Sequence, residues 1–224
     1  MNRIHTGQRN AIMIFMMLWM VFSSVSMADE FLPVRHVSDG DTITLQDGRS
    51  IRYIGINAPE IAHKDRPADP YGPDSQKINQ EKVLSKQVRL EWDVEKTDQY
   101  GRNLAYVFLA DGTFINQVMV EAGLAFFMPT RPNTRYNELL LNAQRQAMQA
   151  RRGIWQGWQE ESGQYVGHRQ SKRFHVSSCP LGQKIARKNQ ISFHRKWDAY
   201  WEGYFPCKKC LGSQVNEISV VRHQ

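Results

Sequence analysis

Residues 39–60, DGDTITLQDGRSIRYIGINAPE, decide how the chain folds. Two short alternating runs, Thr42–Leu45 and Ser50–Ile56, flank Asp47-Gly48, and Asp-Gly between such runs is a strong hairpin signal. Asp39 and Asp41 stand at the entrance, Arg52 lies inside the second strand, and Glu60 follows the exit. Side chains alternate along a strand, so Arg52 is expected on the same face as Ile54 and Ile56. An arginine on a core face needs anionic partners, because an unpaired buried guanidinium costs several kcal/mol. Carboxylates and a strand-held arginine at one end of a hairpin suit a metal ion plus a phosphate. The same residues also suit a purely structural ion-pair cluster.

The chain has 224 residues, 41% hydrophobic and 23% charged, enough for one globular domain with an appendage. Arg3 and Arg9 precede an apolar run, Ala11–Phe22, and Ser26-Met27-Ala28 fits a small-x-small cleavage site. Residues 1–28 therefore read as an export signal, and the mature protein as periplasmic or secreted. Retained, the same segment would be a membrane anchor, although its apolar run is short for a bilayer. The net charge of +7 is uneven. Residues 29–160 hold 16 Lys and Arg against 18 Asp and Glu, whereas residues 161–224 hold 11 against 4. A near-neutral body with a basic tail points to a polyanion such as nucleic acid or an anionic membrane surface, or to a tail kept soluble by its charge.

Phe31–Val37 reads as a first strand feeding the hairpin. A polar, proline-interrupted loop follows (residues 63–70), then a helix from Tyr71-Gly72-Pro73 to about Lys86. Val88–Glu95 alternates cleanly as a fourth strand with Arg89, Glu91, Asp93 and Glu95 on a wet face. Asn103–Leu109 is the fifth strand, followed by a helix over Phe114–Glu121 ending at Gly123 and a long helix over Arg135–Arg152 closed by Gly153-Ile154-Trp155. Five short strands with one helix after the third and two after the fifth predict an α+β, mainly β fold: a small closed barrel of the OB type. Residues 156–168, rich in Gly and Gln, read as a linker between a barrel domain (29–155) and the tail (169–224).

Residues 34–155 resemble the thermonuclease (staphylococcal nuclease-like) family. The marks are Asp39-Gly40-Asp41-Thr42, then Arg52 eight residues before Glu60 in a G-I-x-A-P-E frame, Tyr71-Gly72-Pro73, the run Asp98–Tyr106, and Gly153-Ile154-Trp155, all in order. The resemblance implies an OB-fold barrel and calcium-dependent hydrolysis of phosphodiesters in DNA and RNA. It implies Asp41 as a calcium ligand, Arg52 and Arg102 as the pair gripping the scissile phosphate, and Glu60 as the group that orients or deprotonates the attacking water. Charge builds on the non-bridging oxygens during attack, where two guanidiniums and a divalent cation can stabilise it. The family's second metal-ligand aspartate falls at Asn57, whose oxygen can coordinate calcium with one negative charge fewer, and the carbonyl of Ala58 completes the implied set.

The tail holds His175-x3-Cys179 and Cys207-x2-Cys210, one nitrogen and three sulfur ligands suited to a closed tetrahedral zinc site. Residues 172–211 resemble the small metal-binding domain of the DNA-repair protein Ada, with His175 where that protein has a cysteine. A Cys207–Cys210 disulfide with Cys179 odd, or an ordinary surface His175, fits the spacing as well. So short a segment needs a metal or a crosslink to fold. The expectation is thus an exported, monomeric, calcium-dependent nuclease of little sequence specificity whose zinc-bearing tail holds nucleic acid. The competing expectation is a nucleic-acid-binding protein with a degenerate nuclease site.

Overall fold

A computed structural model describes residues 30–64, 66–160 and 162–212; the expected export signal over 1–28 lies outside them. The first strand, β1 (Phe31–Val37), pairs antiparallel with β2 (Thr42–Leu45), and β2 with β3 (Ser50–Tyr53). The Asp47-Gly48 turn has Gly48 at φ +90°, and the Asp47 carboxylate accepts a hydrogen bond from the Arg49 backbone N–H. After the short β4 (Ile56–Asn57) come α1 (Gly72–Val83), β5 (Gln87–Glu91) and β6 (Asn103–Leu109). Then follow α2 (Ile115–Glu121), β7 (Phe126–Phe127) and α3 (Asn137–Gln149). Strands β1-β2-β3-β6-β5 close into a barrel, with β3 and β6 parallel and the other pairs antiparallel. A parallel pair needs a crossover, and here α1 and β5 supply it. Val37, Ile43, Ile51, Val88, Ala105 and Val107 fill the interior. The OB-type barrel with three helices is as expected.

Three local expectations are corrected. The second hairpin strand does not run to Ile56. It breaks at Ile54-Gly55, where Gly55 takes φ +80° and a Cβ would press on Leu140. Asn116 holds this break, donating to the Ile54 carbonyl (2.8 Å) and accepting from Val107 N–H (3.0 Å). Nor does the fourth strand run to Glu95: β5 ends at Glu91 and Val94 is exposed. The acidic face is bonded rather than merely wet. Asp93 accepts from Tyr106 Oη and the backbone N–H groups of Thr134 and Arg135, and Glu91 accepts from Tyr136 Oη (2.6 Å) and Arg89. Helices α1 and α3 end earlier than expected, just before Ser85 and Arg151 take positive φ, and α3 starts at Asn137 rather than Arg135.

The linker expectation over 156–168 also fails. Trp158 is buried, and β8 (Ser162–His168) is a strand of the C-terminal sheet. That sheet, ordered β10-β8-β9-β11, adds β9 (Arg173–Val176), β10 (Gln190–Arg195) and β11 (Phe205–Pro206), with short helices α4 (Pro180–Gln183), α5 (Lys196–Trp201) and α6 (Lys208–Leu211). It shares an apolar cluster with the first domain: Phe126, Met148 and Trp155 pack with Trp158, Phe174 and Tyr200. Gln144 on α3 spans the junction, accepting from Phe127 N–H and donating to the Tyr200 carbonyl, both at 2.8 Å. The small C-terminal module is docked, not tethered. Among the described residues no helix is long and apolar enough to cross a membrane.

Candidate active site and metal centre

The hairpin delivers its charged groups to the mouth of the barrel. Thr42 and Arg52 are directly paired across β2 and β3, so Asp41 stands one residue before the register position of Arg52. Gly40 makes the approach possible, because a Cβ there would collide with Ser75 of α1 and with Ala58. Asp41 and Arg52 are both buried and form an ion pair at 2.9 Å. Asp41 also accepts from Ala58 N–H (2.6 Å) and Thr42 Oγ1 (3.1 Å), while Asp39 accepts from the Asp41 N–H. Burial pushes the Asp41 carboxyl above the usual carboxylate range; Arg52 opposes this and the nearby Asp39 carboxylate adds to it.

Arg52 is fully engaged on one side. One terminal nitrogen donates to the Tyr53 carbonyl (2.9 Å), the other to Asn57 Oδ1 (3.1 Å) as well as to Asp41. Asn57 Nδ2 points to the Ala58 carbonyl at 3.3 Å. Glu60 is more open, its side chain 42% exposed and 3.9 Å from His63 Nε2. Its backbone is pinned: Asp69 Oδ2 accepts from Glu60 N–H, and Gly72 lets the start of α1 lie against the Glu60 carbonyl. Arg102 sits before β6 with its Nε on Asp98 Oδ2 (2.7 Å) and its guanidinium 5.6 Å from the Tyr100 ring. Neither of its terminal nitrogens bonds another described residue. Burial raises the Asp98 carboxyl, but its bonds from Arg102 and Tyr100 outweigh that and hold it below the ordinary range.

All six residues expected at the first site, Asp41, Arg52, Asn57, Ala58, Glu60 and Arg102, line one cleft of about 690 Å³. Sequence reasoning missed Asp98, the partner that aims Arg102, although it heads the same run. It also missed Lys208, which reaches this cleft from the tail and gives no local signal of doing so. The oxygen donors of Asp41, Asn57 and Ala58, with Asp39 beside them, are all hard ligands. They match calcium chemistry rather than that of a soft metal.

The second expected set also converges. His175 on β9, Cys179 before α4, and Cys207 and Cys210 around α6 bring their ligand atoms within 4.8 Å of one another. His175, Cys179 and Cys207 are buried, so His175 is no surface histidine. The three cysteines are free thiols, without the Cys207–Cys210 disulfide. Burial pushes the Cys179 thiol up, but the Gly182 and Leu181 N–H groups outweigh it and lower the value. Gly182 must be glycine here, as a Cβ would meet His175 and Val166 at 2.9 Å. One imidazole and three thiols at this spacing fit a closed tetrahedral zinc site.

The family model for staphylococcal nuclease homologues matches residues 50–157. The chain is 38% identical to the thermonuclease of Staphylococcus hyicus over 125 residues, covering 54% of this chain and 73% of that protein. It belongs to the staphylococcal nuclease family. The thermonuclease of Staphylococcus intermedius is 37% identical over 137 residues, 60% of this chain and 81% of that protein. The endonuclease YncB of Bacillus subtilis (strain 168) is 34% identical over 122 residues, 52% of this chain and 57% of that protein. This family member is accordingly a nuclease, a hydrolase of phosphodiester bonds with nucleic acid as its substrate. The family model stops before the His and Cys cluster.

Proposed function

We propose that the chain is an exported, calcium-dependent nuclease that cuts DNA and RNA with little sequence specificity. The observation that carries this reading is the convergence of Asp41, Arg52, Glu60 and Arg102 in one open cleft. Calcium would be held by Asp41, Asn57 and the Ala58 carbonyl, with Asp39 adding negative charge nearby. When bound, it would supply positive charge beside the non-bridging oxygens of the phosphodiester. Arg102, steadied through Nε by Asp98, offers its two terminal nitrogens to the phosphate as a planar fork. Arg52 adds a second guanidinium, preorganised by Asp41 and Asn57 so that little reorientation is needed as charge develops. Glu60, its side chain partly open to water in the same cleft, orients or deprotonates the nucleophile. These groups address phosphates, which carry no sequence information, hence the low specificity.

The docked module gives the substrate a longer path. Met128 and Thr130 line both the cleft and a groove bordered by Arg131, His168 and Arg173. Zinc held by His175, Cys179, Cys207 and Cys210 would be structural, since four protein ligands leave no open position. Export rests on residues 1–28 as a cleaved signal. The deciding experiment incubates purified mature protein with plasmid DNA and with RNA, in free calcium and after calcium is withdrawn. Cleavage of both polymers only with calcium supports the reading. Retention of nucleic acid on a gel without any cleavage would replace it with the non-catalytic binding protein.

A further inference from the structure

The Cys-x2-Cys turn that closes the tail's metal cluster also faces the nuclease cleft. Lys208, between Cys207 and Cys210, lines the 690 Å³ cleft with Arg52, Glu60 and Arg102. It also lines a smaller adjoining recess with Asn57, Glu60 and Pro206. Lys209, its neighbour, lines neither. The placement is built rather than incidental. Cys207 N–H donates to the Phe174 carbonyl (2.8 Å), β11 pairs with β9 just before the turn, and Leu211 N–H closes it onto the Cys207 carbonyl (3.0 Å). Cys207 and Cys210 then hold both ends of the turn within the four-ligand cluster. Lys208 is exposed and makes no ion pair among the described residues, and the partly exposed Glu60 lies 3.9 Å from His63 Nε2.

We propose that Lys208 is a substrate-positioning residue of this nuclease. Its ammonium binds a backbone phosphate adjoining the one held by Arg52 and Arg102, and the tail's metal turn fixes its place. The proposal rests on the nuclease reading of the cleft and adds a contact that only a polynucleotide can make. An ammonium on a four-carbon stem suits this task, since it tolerates phosphates at several angles where a guanidinium fork demands one. The arrangement makes the tail part of the substrate site.

The test uses the full chain and its Lys208→Ala, Lys208→Arg and Lys209→Ala variants on two substrates, a single-stranded oligonucleotide and bis(4-nitrophenyl) phosphate. Lys208→Ala should raise KM for the oligonucleotide about three- to tenfold with kcat retained, and leave turnover of the small diester as in the wild type. Lys208→Arg should restore most of the loss, and Lys209→Ala should behave as wild type. Binding of the same oligonucleotide, measured by fluorescence anisotropy in a Glu60→Gln background, should show a salt slope shallower by about 0.7 when Lys208 is also replaced, the signature of one lost phosphate contact. Unchanged KM and salt slope in Lys208→Ala would overturn the proposal. So would a fall in kcat on both substrates, which would mark Lys208 as a partner of Glu60. A wild-type protein that cleaves neither substrate would reject the nuclease reading instead, and the salt slope would still decide whether Lys208 touches phosphate.

Discussion

At the scale of single residues, Arg52 and Arg102 have the same expected task but different surroundings. Arg52 neutralises the buried Asp41, so its removal strands a carboxylate in the barrel mouth. Breaking a buried pair from one side costs about 3–5 kcal/mol, and Arg52→Ala should therefore lose both thermal stability and activity. Arg102 is half-buried and, among the described residues, its guanidinium pairs with Asp98 and lies by the Tyr100 ring, so Arg102→Ala should fold normally and lose about 10²–10³ in kcat. Circular dichroism melts beside steady-state kinetics separate the two cases, and wild-type turnover by folded Arg102→Ala would remove it from the mechanism. Asn57 is the other telling residue. Asn57→Asp restores a negative charge beside the oxygen donors, and at an effective dielectric near 20 a unit charge at about 4 Å acts with roughly 4 kcal/mol per unit charge before desolvation offsets it. Nuclease rate against free calcium should shift to lower concentration in Asn57→Asp. Superimposed curves would show that position 57 does not meet the ion.

Elements show why the barrel mouth keeps its shape. The break between β3 and β4 turns the chain from the barrel toward Asn57 and Glu60, and Gly55 alone takes the left-handed backbone there while lying against Leu140. Gly55→Ala should cost about 1–2 kcal/mol from backbone strain, with a further loss from the crowding of Leu140. A denaturant melt measures it. The segment after β5 is held by carboxylates. Burial raises Glu91 and Asp93, but bonds from Tyr136, Arg89, Arg135 and Tyr106 outweigh it and hold both below their ordinary values. A depressed folded value means stability that is full above the unfolded value near pH 4 and is lost as pH falls through the folded one. The melting temperature should drop between about pH 4 and pH 2, and Asp93→Asn should flatten that drop while lowering stability at neutral pH.

For the molecule as a whole, the shared aromatic cluster makes the tail a structural partner of the nuclease domain. Trp155 meets Phe126 of the barrel domain and also Trp158, Trp197 and Tyr200. Deleting residues 161–224 would expose that face, so the truncated protein should melt earlier and bind a hydrophobic dye, in addition to losing salt-sensitive affinity for DNA. A chain that melts as before would mean the junction contributes nothing. The purified full chain should carry one zinc, and its removal should change the near-ultraviolet signal of the tail aromatics. Finding no zinc and a Cys207–Cys210 disulfide in protein taken from its own compartment would replace the metal with a crosslink.

Much of this was legible along the chain. Alternation placed the two hairpin runs, the Asp47-Gly48 turn joined them, and a carboxylate, an arginine and a glutamate at fixed spacing pointed to one candidate site; His-x3-Cys and Cys-x2-Cys pointed to another. These are local patterns, and local geometry obeys them. The break at Gly55, the anchoring of Asp93 and the docking of the tail were not legible. Periodicity reports that a face is buried without saying against what, and the bonds that answer the question run from Asp93 to Thr134 and from Gln144 to Tyr200. The sequence by itself determined the barrel, the order of its five strands and three helices, and which charged residues meet at its mouth. Only the tertiary structure decided that the tail folds onto the nuclease and brings Lys208 to its cleft, because that contact depends on two apolar faces meeting across long stretches of chain.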